Sequence, residues 1–366
     1  MMDIIIAKKD MSTTKSAATN RVLEEARYFI EHGHTVRIIS EAMDSNIIRA
    51  AGATPIKIFK FPVSGYYRRK FFQVMADRYI KAHPADLVIG RGDILRQDVL
   101  FMHNCIHLAH ERIYGTPLPE SNDVGRIHTK LLTEGQFNLL ICNSAMMRDD
   151  FIKRFNIDIS KMAIVCPGVD LSKFESNGTV RTETRASLGI EADTALIALI
   201  TSGDFKKRNV AGMIKAFATI SDKSAKLLIV GKDNLTPYKA LATELGIADS
   251  VIFAPAISDV QRYYNACDIF VLPAHIEEFG RSVAEAMYCG LPVIVSRWAG
   301  AADILEGESR NYILDELDQL PEMLDRLACD RASWKHLGEL NQTTAMKYTK
   351  EASMAELEKM YQKLDI

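Results

Sequence analysis

Short apolar runs alternate with longer segments of helical periodicity from one end of the chain to the other. In the first half, the runs that predict strands lie at Asp3–Lys8, Thr35–Ser40, Pro55–Phe61, Ala85–Gly90, Asp98–Asn104 and Asn138–Ser144. Helical spacing of apolar residues predicts intervening helices, among them Asn20–His32 and Gly65–Lys81. Because apolar strands that alternate with helices are typical of a parallel sheet covered on both faces, the pattern predicts an α/β fold.

The second half of the chain starts the same pattern again. Its predicted strands lie at Thr194–Thr201, Lys226–Gly231, Val251–Ala256, Ile269–Leu272 and Pro292–Ser296. A crossover strand at Met162–Pro167 and a hinge around Gly168–Lys173 separate the two halves. A length of 366 residues also exceeds what one hydrophobic core usually supports. The sequence therefore predicts two facing Rossmann-like domains, residues 1–168 and 169–349, with ligands in a cleft at the carboxyl ends of the strands.

Composition and charge argue against several classes of protein. A formal net charge of −2 gives no reason to expect a nucleic-acid partner. No cysteine belongs to a Cys-x-x-Cys pair, which favours reduced, buried thiols over disulfides or a zinc site. No stretch approaches the roughly 20 apolar residues of a membrane span, and the N-terminal residues show no signal-peptide pattern. We therefore expect a cytoplasmic protein whose contact with a membrane, if it has one, is peripheral.

The segment from His275 to Ile294 carries the most specific signal. A helical pattern begins near Gly280 and ends at Cys289–Gly290, between two apolar strands. Glu277 then lies in the strand-to-helix loop and Glu285 lies inside the helix. Carboxylates accept hydrogen bonds from sugar and ribose hydroxyls, and the free N–H groups of a helix N-terminus, here at Phe279 to Arg281, attract phosphate. The segment therefore fits a sugar-nucleotide site, although an acidic loop before an ordinary amphipathic helix would read similarly.

The pattern Glu277-x-Phe-Gly-x4-Glu285-Ala-Met, followed by Gly290-x-Pro-Val-Ile, resembles the E-x7-E signature of the retaining glycosyltransferases of family 4, which have the GT-B fold. Supporting motifs are spread along the chain, at Gly33–Val36, Asn143–Ser144, Pro167–Asp170, Leu227–Gly231, Val251–Phe253 and Tyr263–Pro273. The neighbourhoods of His83–Asp86 and Ser202–Phe205 look most like those of the lipopolysaccharide core glucosyltransferases. The resemblance also implies that a terminal helix, about residues 350–366, packs back on the first domain.

The resemblance implies a function as well. It implies transfer of a hexose from a nucleotide sugar, with UDP-glucose as the example, to a lipopolysaccharide core or another cell-surface glycan or glycolipid precursor, without a metal ion or a cofactor. No residue excludes a GDP-sugar. Two alternatives stay open from sequence: a sugar-nucleotide epimerase or hydrolase on the same fold, and a non-catalytic, membrane-associated scaffold that binds sugar nucleotides.

Further residues match positions that the family uses for its donor. Family members place an Arg and a Lys on the donor diphosphate, and Lys207 and Arg208 match these positions with the two types exchanged. Gly203 and Asp204 lie just before them and are expected to line the donor site. Glu277, in the acidic motif, is expected to contact the donor sugar, and Phe279, Gly280 and Arg281 to meet its phosphates. Glu285 is expected to bind the ribose.

In the first domain, the resemblance places His103 beside the reacting anomeric carbon, with Asn104 as a neighbouring polar contact. The loop after the first strand usually carries a Gly-Gly pair, where this chain has Ser16 and Ala17, so donor contact there is an open expectation. His107 and His110 could share a helical face, but no third metal ligand has supporting spacing. The chain has no Asp-x-Asp motif either, which argues against the metal-dependent glycosyltransferase fold.

Residues 57–81 combine cations with aromatic side chains. Seven Lys or Arg residues face one acid, Asp77, in this segment; the cations are Lys57, Lys60, Arg68, Arg69, Lys70, Arg78 and Lys81. A basic, aromatic-rich amphipathic segment is typical of a surface that lies on an anionic membrane or grips a phosphorylated acceptor. A helix with its aromatic residues in the core and its cations in water would show the same composition.

Overall fold

The computed structural model of the chain describes residues 1–14 and 17–364. Its strands are β1 Asp3–Ala7, β2 Asp10–Met11, β3 Thr35–Ser40, β4 Ala42–Met43, β5 Thr54–Lys57, β6 Leu87–Gly90, β7 Val99–Phe101, β8 Leu139–Cys142, β9 Met162–Ile164, β10 Leu196–Gly203, β11 Lys226–Lys232, β12 Val251–Ala254, β13 Ile269–Leu272, β14 Val293–Ser296 and β15 Ile313–Leu314. Its α-helices are α1 Ala17–Glu31, α2 Ser45–Ala50, α3 Gly65–Ala82, α4 Ile106–Tyr114, α5 Asp123–Glu134, α6 Ala145–Phe155, α7 Gly178–Leu188, α8 Val210–Thr219, α9 Thr236–Glu244, α10 Gln261–Ala266, α11 Arg281–Tyr288, α12 Leu320–Cys329, α13 Arg331–Ala345 and α14 Lys350–Tyr361.

The chain forms two compact units. Unit 1 contains Met1–Glu111, Gly115–Val165 and the residues from Met354 onward, and unit 2 contains Arg112–Tyr114 and Cys166–Ser353. The chain thus passes from unit 1 to unit 2 at Val165–Cys166, a few residues before the boundary that the sequence predicts.

Unit 1 is built on a parallel sheet with the strand order β5-β3-β1-β6-β7-β8-β9. In β1, Ile4 and Ile6 pack into one core cluster, while Ile5 and Ala7 pack into another on the opposite face. Both faces are therefore buried, which explains the continuous apolar run in the sequence. Met354, Leu357 and Tyr361 of α14 belong to the same cluster as Ile4, so the end of the chain packs into the core of this unit.

Unit 2 repeats this design with a parallel sheet of order β12-β11-β10-β13-β14-β15. Strand β10 is again buried on both faces, with Leu196 and Ala198 in one cluster and Ile197 and Leu199 in the other. The predicted α/β fold with two Rossmann-like domains is confirmed.

Most differences from the predicted elements lie at strand ends. The predicted strand Pro55–Phe61 stops at Lys57, because β5 is the edge strand and its neighbour β3 pairs with it only through Ser40. Beyond that point Phe59 leaves the sheet and is 67% exposed. No helix in the described part of the chain is long and apolar enough to cross a membrane.

Candidate active site

A cluster of charged side chains in unit 2 lies at the point where the strand order of its sheet reverses. From β10 the chain runs to β11 and β12 on one side, and it then returns to place β13 on the other side. In open α/β sheets, the loops that follow the two strands at such a switch point form a ligand-binding crevice. Here those loops carry Lys207 and Arg208 after β10, and Glu277 and Glu278 after β13.

The loop after β10 has an unusual backbone. Gly203 has a φ of 151°, and a Cβ atom at this position would lie 2.6 Å from the Lys232 carbonyl oxygen. Asp204 and Asn209 both adopt left-handed conformations, and the Asn209 side chain caps α8 by accepting from the Gly212 N–H. The Phe205 N–H donates to Asp233 at 2.7 Å. This turn fixes the direction in which the residues between Phe205 and Asn209 leave the sheet.

The loop after β13 is held by the segment that follows β14. The Glu277 N–H donates to the Trp298 carbonyl at 2.8 Å, the Gly300 N–H donates to the Glu277 carbonyl at 2.9 Å, and the Ala301 N–H donates to the Phe279 carbonyl at 2.6 Å. Gly280, with a φ of 95°, then begins α11 as its N-cap. The predicted start and end of this helix are confirmed, because α11 is capped by Gly280 and Cys289.

The two loops meet through a pair of ion pairs. The Lys207 ammonium lies 2.7 Å from Glu278 Oε2, and an Arg208 guanidinium nitrogen lies 2.6 Å from Glu277 Oε2. The His275 N–H also donates to the Lys207 carbonyl at 2.9 Å, which joins the two backbones. The structure therefore brings together three residues that the sequence pointed to, Lys207, Arg208 and Glu277. Glu278 is a fourth member that the sequence analysis missed.

Burial and mutual charge shape the protonation of this cluster. Burial raises the pKa of Glu277, and the nearby Arg208 and Lys207 offset this only in part. Burial lowers the pKa of Lys207, but the carboxylates of Glu278 and Glu277 more than compensate, so that its net shift is upward. Lys207 is therefore held in its charged form. Asp204 lies at the edge of the cluster, 3.8 Å from Arg208, with its side chain 59% exposed.

Glu285 lies about one turn inside α11, in a different environment from Glu277. Its Oε2 accepts a hydrogen bond of 2.8 Å from the Tyr264 hydroxyl of α10. Burial raises the pKa of Glu285, although Arg281 and the Tyr264 hydrogen bond act in the opposite direction. The Tyr264 hydroxyl thus fixes one oxygen of the Glu285 carboxylate.

Backbone donors complete the site of unit 2. The N–H groups of Phe279 and Gly280 donate no hydrogen bond to another described residue. They lie at the start of α11, where the aligned peptide dipoles place partial positive charge. Gly280 has a conformation that favours glycine, and a Cβ there would also lie 3.1 Å from Leu272. The arrangement is suited to an anion, such as a phosphate group.

His103 and Asn104 lie in unit 1, directly after β7. The His103 imidazole stacks on the Phe101 ring at a centroid distance of 4.7 Å, and its Nε2 lies 3.3 Å from an Arg91 guanidinium nitrogen. Burial lowers the pKa of His103 well below its ordinary value, and Arg91 lowers it further. The imidazole is therefore neutral at physiological pH, and Asn104 is exposed beside it.

The partner of His103 belongs to a buried network that the sequence did not reveal. Arg91 forms an ion pair with Glu25, and both side chains are inaccessible to solvent. Glu25 also accepts a hydrogen bond of 2.9 Å from the Tyr361 hydroxyl of α14. The C-terminal helix thus contributes a polar group to the support of His103. Glu25 and Tyr361 are 336 positions apart in the chain, so that no local motif points to their contact.

Four candidate residues from the sequence remain: Ser16, Ala17, His107 and His110. Ser16 lies outside the described residues, and Ala17 is the first residue of α1. His107 contacts Thr129 at 3.1 Å and His110 contacts the Thr116 carbonyl at 2.8 Å, so that each histidine has its own partner. Within residues 1–14 and 17–364, no group of three or more His, Cys, Asp or Glu residues is arranged to hold a metal ion.

Comparison with known proteins agrees with this geometry. The family model for glycosyl transferases group 1 matches residues 180–344, and the model for glycosyltransferase family 4 matches residues 18–173. The lipopolysaccharide glucosyltransferase WaaG of Escherichia coli K12 is 24% identical over 307 residues, which cover 80% of each chain. The chain spans about half the length of the bacterial D-inositol 3-phosphate glycosyltransferases that it also matches.

Solved structures show the same architecture. The crystal structure of WaaG has a TM-score of 0.78 at 19% identity and covers 98% of this chain and 100% of its own. The Anabaena protein Alr3699/HepE, in complex with UDP and glucose, has a TM-score of 0.77 at 17% identity over the full length of both chains. The solved structures show the GT-B fold, and the two family models, which match residues 18–173 and 180–344, show that the chain belongs to the family 4 glycosyltransferases, with a group 1 glycosyl transferase domain in its second half.

Proposed function

We propose that this glycosyltransferase takes a hexose from a UDP-sugar, such as UDP-glucose, and transfers it with retention of anomeric configuration. The acceptor is a lipopolysaccharide core or another cell-surface glycan or glycolipid precursor. The observation that carries the proposal is the cluster at the switch point of unit 2, where Lys207 pairs with Glu278 and Arg208 pairs with Glu277. WaaG is named a lipopolysaccharide glucosyltransferase, which supports this choice of acceptor. The Anabaena structure contains UDP and glucose, which supports this choice of donor.

Each part of the donor then has a matching group in unit 2. The diphosphate meets Lys207, Arg208 and the N-terminus of α11, including the Phe279, Gly280 and Arg281 backbone. Glu285 accepts the ribose hydroxyls with the oxygen that Tyr264 leaves available. Glu277 accepts hydrogen bonds from hydroxyls of the donor sugar. Gly203 shapes the loop that carries the cations, since a Cβ atom there would lie 2.6 Å from the Lys232 carbonyl oxygen.

The transfer requires groups that stabilise the negative charge on the leaving diphosphate, and it requires no nucleophilic side chain of the protein. When the anomeric C–O bond breaks, the leaving diphosphate gains negative charge, which Lys207 and Arg208 are placed to stabilise. Preorganised charges of this kind lower a barrier by several kcal/mol. The acceptor hydroxyl attacks from the face that the diphosphate leaves, and a phosphate oxygen takes its proton. His103, held neutral by its surroundings, is suited to hydrogen-bond a sugar hydroxyl near the reacting carbon.

Two cations at the diphosphate replace the charge that a divalent metal ion would supply, so we propose a metal-independent enzyme. Thermal unfolding in EDTA with UDP, GDP or ADP tests both the donor and this independence. A ligand at 100 times its dissociation constant adds about 2.7 kcal/mol to the free energy of unfolding. UDP is expected to raise the melting temperature most, and as much in EDTA as in magnesium. A response that requires magnesium, or that is equal for all three nucleotides, would contradict the proposal.

We also propose that unit 1 contacts an anionic membrane, where a lipid-linked acceptor would be found. The exposed residues of α3 recur at Tyr67, Lys70, Val74, Arg78 and Lys81, a spacing that places them on one face of the helix. Tyr67 is 73% exposed. The end of β5 and the loop that follows it add exposed Lys57, Phe59, Lys60 and Val63. We call these nine residues the basic aromatic face; they combine cations for head groups with apolar side chains for the interface.

Two other cations of residues 57–81, Arg68 and Arg69, have carboxylate partners within unit 1. Arg68 forms an ion pair of 2.7 Å with the buried Glu41, and Arg69 lies 3.9 Å from Asp93. Arg68 and Arg69 therefore serve the fold of unit 1, and substituting them would confuse lost binding with lost folding. Phe72, in the same segment, is fully buried. The membrane proposal is therefore limited to the exposed side chains of residues 57–81.

Substitution of Lys70, Arg78 and Lys81 by Glu is expected to abolish sedimentation of the protein with anionic phospholipid vesicles at low salt. Each engaged cation contributes about 1 kcal/mol, so that reversing three charges removes most of the attraction. Substitution of the exposed Lys215, Lys239 and Lys335 of unit 2 by Glu matches the change in net charge and should leave sedimentation nearly intact. Equal loss in both triple variants, or no vesicle binding by the wild type, would contradict the membrane proposal.

A further inference from the structure

Glu278 stands beside the acidic motif of the family without being part of it. Its carboxylate lies 2.7 Å from the Lys207 ammonium, and the two side chains are only 11% and 14% exposed, respectively. Glu278 comes from the loop before α11, whereas Lys207 comes from the loop after β10, 71 residues away in the chain. The contact therefore depends on the fold of unit 2 and not on helical or turn spacing.

The charges around Lys207 indicate what its contact with Glu278 does. The charged groups that face Lys207 are Glu278 and Glu277 from the loop after β13, and Arg208 from its own segment. Arg208 already has Glu277 as its partner, at 2.6 Å. Without Glu278, the Lys207 ammonium would be a largely buried cation with no carboxylate in contact. A buried amine in that situation tends to lose its proton.

We propose that Glu278 is a positioning residue of the diphosphate site, which holds the Lys207 ammonium group in place and charged until the donor phosphate arrives. This inference rests on the proposed function, since it needs Lys207 to meet the donor. When the diphosphate binds, its oxygens take over part of the coordination of Lys207, and Glu278 supplies the remaining countercharge. Binding is then an exchange of anionic partners on an ammonium group that is already oriented.

The charge state of Lys207 can be followed directly by NMR in the protein without ligand. With lysine isotope-labelled at Cε, the Lys207 signal is assigned by its loss in Lys207→Arg. In the wild type, Glu278 supports the raised pKa of Lys207. Glu278→Gln keeps the size of the side chain but removes its charge, and the Lys207 titration is expected to move to lower pH. Glu278→Asp retains the charge and should show a smaller shift. An unchanged titration in Glu278→Gln would overturn the assignment.

The effect on donor phosphate is measured with UDP by isothermal titration calorimetry. We compare the ratio of UDP affinity in Glu278→Gln to that in the wild type. This ratio is expected to fall, by up to about tenfold per pH unit, over the pH range in which Lys207 loses its proton in the variant but keeps it in the wild type. Ionisation of UDP itself cancels in this ratio. In the pair Lys207→Arg and Lys207→Arg/Glu278→Gln the ratio should be independent of pH, because Arg stays charged throughout.

The outcomes separate this inference from the proposed function. A wild type that binds no UDP would overturn the proposed donor, and with it the role of Lys207 toward phosphate. A wild type that binds UDP, with a ratio that stays flat across pH, would overturn the role of Glu278 alone. Thermal unfolding of every variant checks that each one is folded, and Glu278→Asp replaces Glu278→Gln if the latter is not.

Discussion

Replacing Lys207 or Arg208 by alanine is expected to lower turnover by about 10²–10³-fold, the scale observed when one preorganised charge contact to a transition state is removed. Both side chains lie at the switch point of unit 2 and are held there by carboxylates, so that neither has to be ordered during the reaction. Turnover is measured as UDP released from UDP-glucose with a lipopolysaccharide core acceptor. The affinity for UDP should fall less than turnover, because the leaving group carries more negative charge in the transition state than in the bound donor.

Two controls make this result specific. Lys215→Ala removes an exposed cation from α8, which begins two residues after Arg208, and should leave turnover close to that of the wild type. Lys207→Arg keeps the charge with a different geometry and should retain more activity than Lys207→Ala. A double Lys207→Ala/Arg208→Ala variant that is folded and turns over near the wild-type rate would contradict the assignment of these cations to the leaving group.

The two glutamates of the acidic motif are expected to differ in what their loss does. Glu285→Ala removes hydrogen bonds from ribose hydroxyls to a charged acceptor, which are worth about 1.5–3 kcal/mol, and should weaken UDP binding by about 10- to 100-fold. Glu277→Ala should leave UDP binding as tight or tighter, because it frees Arg208 from a competing carboxylate 2.6 Å away. Its turnover should fall, since Glu277 is assigned to the donor sugar.

Isothermal titration with UDP, combined with initial rates, distinguishes the two roles. The exposed Glu244→Ala in α9 is a matched control for the loss of one carboxylate in unit 2. Because Glu285→Ala also leaves the buried Tyr264 hydroxyl without its acceptor, its UDP affinity is compared with that of the double variant Glu285→Ala/Tyr264→Phe. UDP affinity in Glu285→Ala equal to that of the wild type, or a large loss in Glu277→Ala, would reverse these assignments.

The fold could be predicted from sequence largely because both sheets are buried on both faces. In β13, every residue from Ile269 to Leu272 is buried, so the apolar run and the strand coincide. Helix α11 was also predictable, since glycines flank it and its apolar positions follow one face. Strand ends were less predictable. At Pro55–Phe61 the apolar and aromatic residues continue past Lys57, but β3 itself ends at Ser40, which pairs with Lys57.

The candidate site was predictable where its residues belong to a local motif. Glu277 and Glu285 flank one helix start, and Lys207 and Arg208 are adjacent, so the sequence itself points to them. Glu278 was not predictable, because a second acid next to Glu277 has no evident role until Lys207 lies 2.7 Å from it. The buried link from Tyr361 through Glu25 and Arg91 to His103 was equally unpredictable, since four separate segments of unit 1 form it.

We expect this chain to transfer a hexose from a UDP-sugar to an acceptor with retention of anomeric configuration. The most direct test incubates the protein in EDTA with radiolabelled UDP-glucose and a lipopolysaccharide core that lacks its hexoses. Label is expected in the lipopolysaccharide, in the same anomeric configuration as in the donor, with no transfer by Lys207→Ala/Arg208→Ala. Label found only as free or isomerised sugar, an inverted linkage, or transfer that requires a divalent metal ion would contradict it.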